Sequence, residues 1–295
     1  MDVAVLVSPA AGRGRAPGLA EAVLAEFRRA GHCAQVLPAT TGPEAERQAA
    51  DAVAAGAGAV AAVGGDGTVH AALQAVATTG TPLAVIPAGT GNDLVRALDI
   101  PADAVAAAGA AAEDLAAGRV RVLDAGRTAN RWWATVLCCG FDSAVSDRAN
   151  RLRWPRGRRR YDLAVLAELL RLRPRELTLT LDGESRTLPV TMVAVGNTPW
   201  YGGGMKVCPA ADPTDGFFDV TVVGATSRLE LVRTKPLLMT GRHVEHSSVT
   251  VFRAARVELA SPGATTYADG EPVAPLPAVA ECVPGALQVV GSGRV

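Results

Sequence analysis

Gly64-Gly65-Asp66-Gly67-Thr68 is the stretch whose reading decides the fold. It follows a run of small apolar residues at 59–63, which reads as a buried strand, and precedes a helical pattern at 69–77. Three glycines permit a tight turn and let backbone amides approach phosphate oxygens closely. The helix behind the turn adds the positive end of its dipole. Asp66 sets a carboxylate where a magnesium–nucleotide complex needs one. The same residues also read as a plain glycine turn with Asp66 as helix cap.

Working outward, the pattern recurs at the same end of neighbouring strands. Apolar strands are expected at 3–7, 33–37, 59–63 and 83–86. They alternate with helices at 18–30, 43–55, 69–77, 94–98 and 102–117. Continuous apolar strands alternating with helices are the pattern of a parallel sheet covered on both faces, which binds ligands beyond the carboxyl ends of its strands. The fourth strand runs into Pro87-Ala88-Gly89-Thr90-Gly91-Asn92-Asp93, where Thr90 offers a hydroxyl, Asn92 a helix cap and Asp93 a second carboxylate. The first runs into Ser8-Pro9-Ala10-Ala11-Gly12-Arg13-Gly14. Three such loops converge on one crevice of a doubly wound sheet; chance explains one of them easily and all three poorly. Residues 1–123 are therefore expected to form an α/β nucleotide-binding domain.

The pattern changes after about Leu123. Strands are expected at 175–181, 187–195, 218–223, 248–252, 255–259 and 286–290, punctuated by turns such as Asp182-Gly183 and Pro262-Gly263. Helical inserts are expected at 160–173 and 227–240. Residues 124–295 read as an antiparallel β-sandwich domain, with a C-terminal tail that returns to the first domain.

Composition removes several classes. The 295 residues carry 29 Lys plus Arg against 29 Asp plus Glu, a net charge of zero that argues against nucleic acid as partner. The five cysteines include no CxxC pair and do not combine with the four histidines at zinc spacing, so buried thiols in a reducing cytoplasm are expected. No run of 18 apolar residues and no signal-peptide pattern is present. There is no GxxxxGK[ST] loop, no HRD or DFG set, and no GxGxxG after the first strand, which removes P-loop enzymes, protein kinases and hydride-transfer enzymes.

At GGDGTVHAAL (64–73) and PAGTGNDLVRALDIP (87–101) the chain resembles the diacylglycerol kinase catalytic domain family, which includes sphingosine and ceramide kinases and small bacterial lipid kinases. The resemblance continues through CGFDSAV (139–145), GN…YGGGM (196–205), ADPTDGFFDV (211–220) and ADGEP (268–272), in family order. It implies an ATP-dependent kinase with magnesium that phosphorylates a lipid hydroxyl, diacylglycerol by default and a sphingoid base or ceramide next. By position it implies nucleotide contacts at Ser8, Pro9, Ala10, Ala11 and Gly12, at Gly64, Gly65, Asp66, Gly67, Thr68, Val69 and His70, and at Thr90, Asn92 and Asp93. Thr40 or Thr41 is a further candidate. It implies a structural magnesium on the Asp215 side chain and the backbone carbonyls of Asp212 and Phe217, an oxygen-only set that suits the ion. Of the carboxylates Asp269 and Glu271, it points to Glu271 as the base that takes the substrate proton, with Asp66 also in the catalytic set. An ordinary hairpin turn is the other reading of Asp269-Gly270. Two residues depart from the family pattern: Ser8 stands for asparagine in the first loop, and His70 for the asparagine after GGDGT. His70 either tunes nucleotide affinity with pH or sits at the solvent edge of its helix without a role.

Between Arg148 and Arg160 the chain holds seven arginines with Trp154, followed by Tyr161 and an apolar helix. This segment is expected to touch a membrane surface, which places the protein at the inner face of the membrane, peripheral and cytoplasmic; the alternative is a charged insert paired with acidic residues of the same protein. A homodimer is left open. Two other functions stay open: NAD kinase-like phosphorylation of a soluble acceptor, and a nucleotide- or lipid-sensing module without catalysis.

Overall fold

The computed structural model describes residues 1–9, 16–152, 154 and 158–291. Ala10, Ala11 and Gly12 of the first loop, and Arg153 and Arg156 of the arginine segment, lie outside the described residues, as do the side chains of Arg158, Arg159 and Arg160. The chain divides into two compact units. The first comprises Met1–Ala125, Pro213–Asp215 and the chain from Val283 onward; the second comprises Gly126–Asp212 and Gly216–Cys282.

The first unit is α/β. Its parallel strands β1 (Asp2–Val7), β2 (Cys33–Leu37), β3 (Ala59–Gly64) and β4 (Leu83–Pro87) lie in the order β2-β1-β3-β4. The chain's last strand joins beyond β4, with Val289 opposite Leu83. Every residue of β3 and β4 is buried, which is why both read as unbroken apolar runs rather than alternating ones. The helices are α1 (Ala16–Arg29), α2 (Gly42–Ala54), α3 (Asp66–Val76), α4 (Asp93–Ala97) and α5 (Ala104–Ala116). Phe27 and Val23 of α1 and Ala108, Ala112 and Leu115 of α5 share one core with Val3, Val5, Ala61, Val63 and Ile86. The alanines of α5 let it pack closely on the sheet. Helix α2 packs against α3. The helix expected at 69–77 begins earlier, at Asp66, because Gly65 in extended conformation serves as its N-cap and frees the next residue to start the first turn.

The second unit is built around antiparallel strands: β5 (Val120–Thr128, which enters from the first unit), β6 (Arg131–Trp133), β7 (Val136–Gly140), β8 (Arg175–Leu181), β9 (Glu184–Gly196), β10 (Trp200–Tyr201), β11 (Met205–Lys206), β12 (Phe218–Gly224), β13 (Val249–Ala254), β14 (Arg256–Ala260), β15 (Thr265–Ala268), β16 (Glu271–Pro275) and β17 (Ala278–Val290, which leaves for the first unit). The long β9 organises it. Its first half pairs with β8; its second half is flanked by β7 on one side and β12 on the other. The inward side chains of these strands form one core in which Trp133 stacks on Phe218 at 4.9 Å. The helices are α6 (Phe141–Arg151), α7 (Arg158–Leu170) and α8 (Arg228–Thr240).

Candidate functional site

The glycine loops of the first unit are held backbone against backbone. A Cβ on Gly89 would stand 2.3 Å from the Gly65 Cα, and one on Gly91 would stand 2.0 Å from the Asp66 carboxylate oxygen Oδ2. The amide of Ala88 donates to the Gly64 carbonyl at 2.8 Å, and the amide of Ser8 to the Val63 carbonyl at 3.0 Å, which ties the first loop to the third strand. Only glycine permits this approach.

Asp66 closes the arrangement. Its Oδ2 accepts the Asn92 amide at 2.9 Å and its Oδ1 the Asp93 amide at 2.8 Å. Both carboxylate oxygens thus hold the entry to α4, so Asp66 positions the GTGND loop rather than capping its own helix. Asn92 does not act as the expected side-chain cap either. It adopts a left-handed conformation (φ 58°) that aims its amide at Asp66, and its Nδ2 donates to the Gly89 carbonyl at 3.2 Å. Asp93 is buried and pairs with Arg96 at 3.4 Å; Arg96 also donates to the Gly91 carbonyl. Gly67, in the first turn of α3, and Thr90, on the loop after β4, are both exposed.

His70 is buried, 2% exposed, with Gln74 Nε2 at 3.4 Å from its Nε2, so the solvent-edge reading is overturned. The physical cause is that α3 packs against both α2 and β3 and is buried without a break from Val69 to Leu73, so no solvent edge remains at this position. Thr40 and Thr41 sit at the entry to α2: the Thr40 amide and hydroxyl both donate to Glu44 at 2.9 Å, and Thr41 Oγ1 accepts the Glu44 amide at 3.4 Å. These bonds hold the Glu44 carboxyl below its usual range. Thr41 is the N-cap of α2, and Thr40 precedes it.

In the second unit Asp269-Gly270 is the two-residue turn joining β15 to β16, with φ 52° and 85°, and Ala268 pairs with Glu271 across its base. It is the type I′ hairpin that Asp-Gly favours. The Asp269 carboxylate accepts the amides of Ala134 and Thr135 at 3.1 Å each and the Thr135 hydroxyl at 2.5 Å. The Thr135 carbonyl in turn accepts the amides of Asn197 and Thr198. Glu271, two residues on, is exposed, and its side chain makes no hydrogen bond or ion pair with a described residue. The two carboxylates thus differ in surroundings: Asp269 fixes the turn, and Glu271 faces solvent.

The segment 212–217 reverses at Gly216 (φ 77°). Asp215 is half-buried and falls in the first unit; Asp212 and Phe217 are exposed and fall in the second. The Pro213 carbonyl accepts the amide of the buried Asp124 at 2.6 Å, while Asp124 Oδ1 accepts the Gly285 amide at 2.9 Å. Sequence reasoning passes over Asp124; its place in the apolar run of β5 is its only signal. Among the described residues no group of three or more His, Cys, Asp or Glu side chains gathers at metal-binding distance.

Asp142, at the start of α6, lies within the CGFDSAV motif, and the sequence alone assigns it no role. The Tyr201 hydroxyl donates to its Oδ2 at 2.8 Å, and burial pushes its carboxyl up to about 6 against the opposing pull of that hydrogen bond. The same burial, with Asp142 beside it, raises the Tyr201 phenol well above its ordinary range. In the arginine segment, Arg148 pairs with Glu168 and Arg151 with Asp147, while Trp154 is 80% exposed. No helix among the described residues is long and apolar enough to cross a membrane.

An α/β unit with glycine loops clasped by a carboxylate, and an antiparallel unit bearing an anchored Asp-Gly-Glu hairpin, define a kinase of the diacylglycerol kinase and NAD kinase fold. The chain belongs to the diacylglycerol kinase catalytic domain family: residues 2–128 match that domain, and residues 135–291 match the YegS C-terminal NAD kinase beta sandwich-like domain. It is 42% identical to a diacylglycerol kinase of Mycobacterium tuberculosis (strain ATCC 25618 / H37Rv) over 98% of this chain and 94% of the relative. A solved diacylglycerol kinase from Bacillus anthracis str. Sterne matches 99% of this chain and 97% of its own with a TM-score of 0.73 at 18% identity. An NAD kinase from Archaeoglobus fulgidus, solved in complex with ATP, matches 98% and 93% with a TM-score of 0.58 at 12% identity. The likeness to these two structures is one of fold.

Proposed function

We propose that the chain transfers the γ-phosphoryl group of ATP to the free hydroxyl of diacylglycerol, yielding phosphatidic acid and ADP. The observation that carries this reading is the clasp of the two glycine loops through Asp66. It preorganises backbone amides at the end of a parallel sheet, as phosphoryl transfer requires, since the reaction depends on positioning and charge neutralisation. The choice of acceptor rests on the 42% identity to a diacylglycerol kinase.

In this reading the loops at Ser8–Pro9, 64–70 and 90–93 hold the nucleotide. Glu271 takes the proton of the acceptor hydroxyl as its oxygen bonds to the γ-phosphorus and the bond to the ADP oxygen breaks. Asp269 and Asp66 are positioning residues, each holding a backbone segment. The half-buried Asp215 carboxylate and the carbonyls of Asp212 and Phe217 are oxygen donors of the kind magnesium prefers, and they would hold it. The ion supplies charge neutralisation when bound. Access to the lipid is from the membrane surface on its cytoplasmic side, with Trp154 and the arginines of 148–160 as first contact.

The test is incubation of the purified protein with γ-labelled ATP, magnesium and mixed micelles carrying one lipid at a time. Label in phosphatidic acid alone supports the reading. Label in a sphingoid base or ceramide keeps the mechanism and changes the acceptor. Transfer to NAD alone, or no transfer with ATP still bound, overturns it in favour of a soluble acceptor or a sensing module.

A further inference from the structure

Helix α8 is apolar on two faces, and folding accounts for one of them. The inner residues Leu231, Leu237 and Leu238 are half-buried, and Leu238 packs on the cluster of Val136, Met192, Ala194 and Val207. The helix is stopped at both ends by its own sequence: Ser227 and Glu230 form a reciprocal capping box, and Gly241 closes it in the left-handed conformation at φ 77°. None of this requires an apolar outer face. Yet Leu229, Val232 and Met239 are 59%, 50% and 54% exposed, with the exposed Pro236 among them. At the helical repeat of 3.6 residues per turn these four fall in one stripe, roughly a quarter of the circumference wide. A single exposed leucine is ordinary; three large apolar side chains aligned on one outer stripe are a surface feature.

The stripe is bordered by cations on both sides. Arg233 lies along one edge, Arg228 and Lys235 along the other. All three are exposed, and none forms an ion pair or hydrogen bond with a described residue. The helix has one carboxylate, Glu230, and it is engaged: it accepts the Ser227 amide at 3.4 Å and faces His246 Nε2 at 3.7 Å. The outer surface thus carries three uncompensated positive charges in a chain whose formal net charge is zero. Long basic side chains beside an apolar stripe lay their stems along the apolar band and present their heads to anionic groups such as lipid phosphates.

We propose that the outer face of α8 is a docking surface for an anionic lipid bilayer, with Leu229, Val232 and Met239 entering the headgroup boundary and Arg228, Arg233 and Lys235 meeting lipid phosphates. The charge decides between this occupant and a second copy of the chain. Across a two-fold axis the same basic edges would face one another, whereas anionic headgroups complement both at once. The surface deepens the lipid-kinase reading, on which its purpose rests, by holding the protein where a bilayer-resident acceptor is found. It is separate from the 148–160 segment, in which Arg148 and Arg151 are engaged by carboxylates.

The test is co-sedimentation of the whole chain with phosphatidylcholine vesicles, with and without phosphatidylglycerol. The wild type is expected to bind the anionic vesicles preferentially and to lose binding as salt rises. Leu229→Ser/Val232→Ser/Met239→Ser is expected to weaken binding about tenfold or more. Arg233→Glu/Lys235→Glu is expected to weaken it about fivefold or more for each residue changed. Turnover of a short-chain, monomerically dissolved diacylglycerol should stay at the wild-type level in both variants while turnover on vesicles falls with binding. Wild type that ignores anionic vesicles, or variants that bind as wild type does, overturns the proposal. So does an equal loss on dissolved substrate, which would make α8 part of the active site, or a dimer-to-monomer change with vesicle binding intact, which would make the stripe a contact between copies. Intact, α8-dependent vesicle binding without turnover of any lipid would sustain the docking surface and break the kinase reading alone.

Discussion

The tripeptide Asp-Gly-Glu occurs twice in the second unit, at 182–184 and 269–271, and both copies fold alike. Each is a two-residue hairpin turn: Asp182 and Gly183 have φ 47° and 97°, Asp269 and Gly270 have 52° and 85°. Each Asp takes two consecutive amides from a distant segment. Asp182 accepts those of Ala255 and Arg256 at 3.2 and 2.8 Å, and Asp269 those of Ala134 and Thr135. The difference lies around them. Asp182 is exposed, and Glu184 is turned toward Arg186 at 3.4 Å. Asp269 is half-buried, takes the Thr135 hydroxyl as well, and leaves Glu271 exposed and unengaged. Identical local sequence makes an identical turn; the neighbours decide whether the glutamate that follows is paired, as Glu184 is with Arg186, or left unengaged, as Glu271 is.

The sharpest way to break this comparison is to neutralise both glutamates. Glu271→Gln is expected to lower kcat by about 100-fold or more, the usual share of a general base, with an unchanged thermal midpoint. Glu184→Gln is expected to change neither. Equal kinetics in the two variants would end the assignment of Glu271.

The second test compares the aspartates that hold amides in the two units. Asp66→Ala leaves the Asn92 and Asp93 amides without their acceptor and loosens the nucleotide loops. A rise in the KM for ATP of about tenfold or more is expected, from the loss of hydrogen bonds worth roughly 1.5–3 kcal/mol each when one partner is charged. Equilibrium titration with ATP separates this from an effect on the chemical step.

Stability sharpens the contrast within the pair. Asp269→Ala is expected to cost about 2–4 kcal/mol in urea denaturation, because it strips partners from buried amides. Asp182→Ala is expected to cost under about 1 kcal/mol, since water reaches the amides it frees. Similar losses would mean that burial does not distinguish the two turns.

The smallest effect is one of pH. Asp142 holds its proton to about 6 in the folded chain and to about 3.8 when unfolded. Between those values the native state binds more protons, so stability falls as pH rises through the window and levels off above it. The drop is on the order of 2 kcal/mol, discounted for partial exposure. Asp142→Asn should flatten that slope in denaturation midpoints taken from pH 4 to 7. Tyr201→Phe, by removing the donor that favours the carboxylate, should move the window to higher pH.

Much of the first unit is legible in the sequence because fully buried parallel strands have no alternative to an unbroken apolar run, as at Ala59–Gly64 and Leu83–Pro87. The second unit is less completely so. Strand β16 carries Pro272 and Pro275, which suit an edge strand yet mask its signal, and Pro284-Gly285 conceals that β17 runs continuously from Ala278 to Val290. Helix α6 is largely polar, so its period is faint. By itself the sequence determined the glycine loops, the turn chemistry and the inventory of carboxylates, because glycine conformation, Asp-Gly turns and apolar periodicity act within a few residues. Only the tertiary structure decided which carboxylates are consumed as anchors, that His70 is buried, and which of two Asp-Gly-Glu turns keeps a free glutamate. Those outcomes depend on amides and hydroxyls supplied from tens to more than a hundred residues away, such as the 26 between Asp66 and Asn92 and the 134 between Thr135 and Asp269.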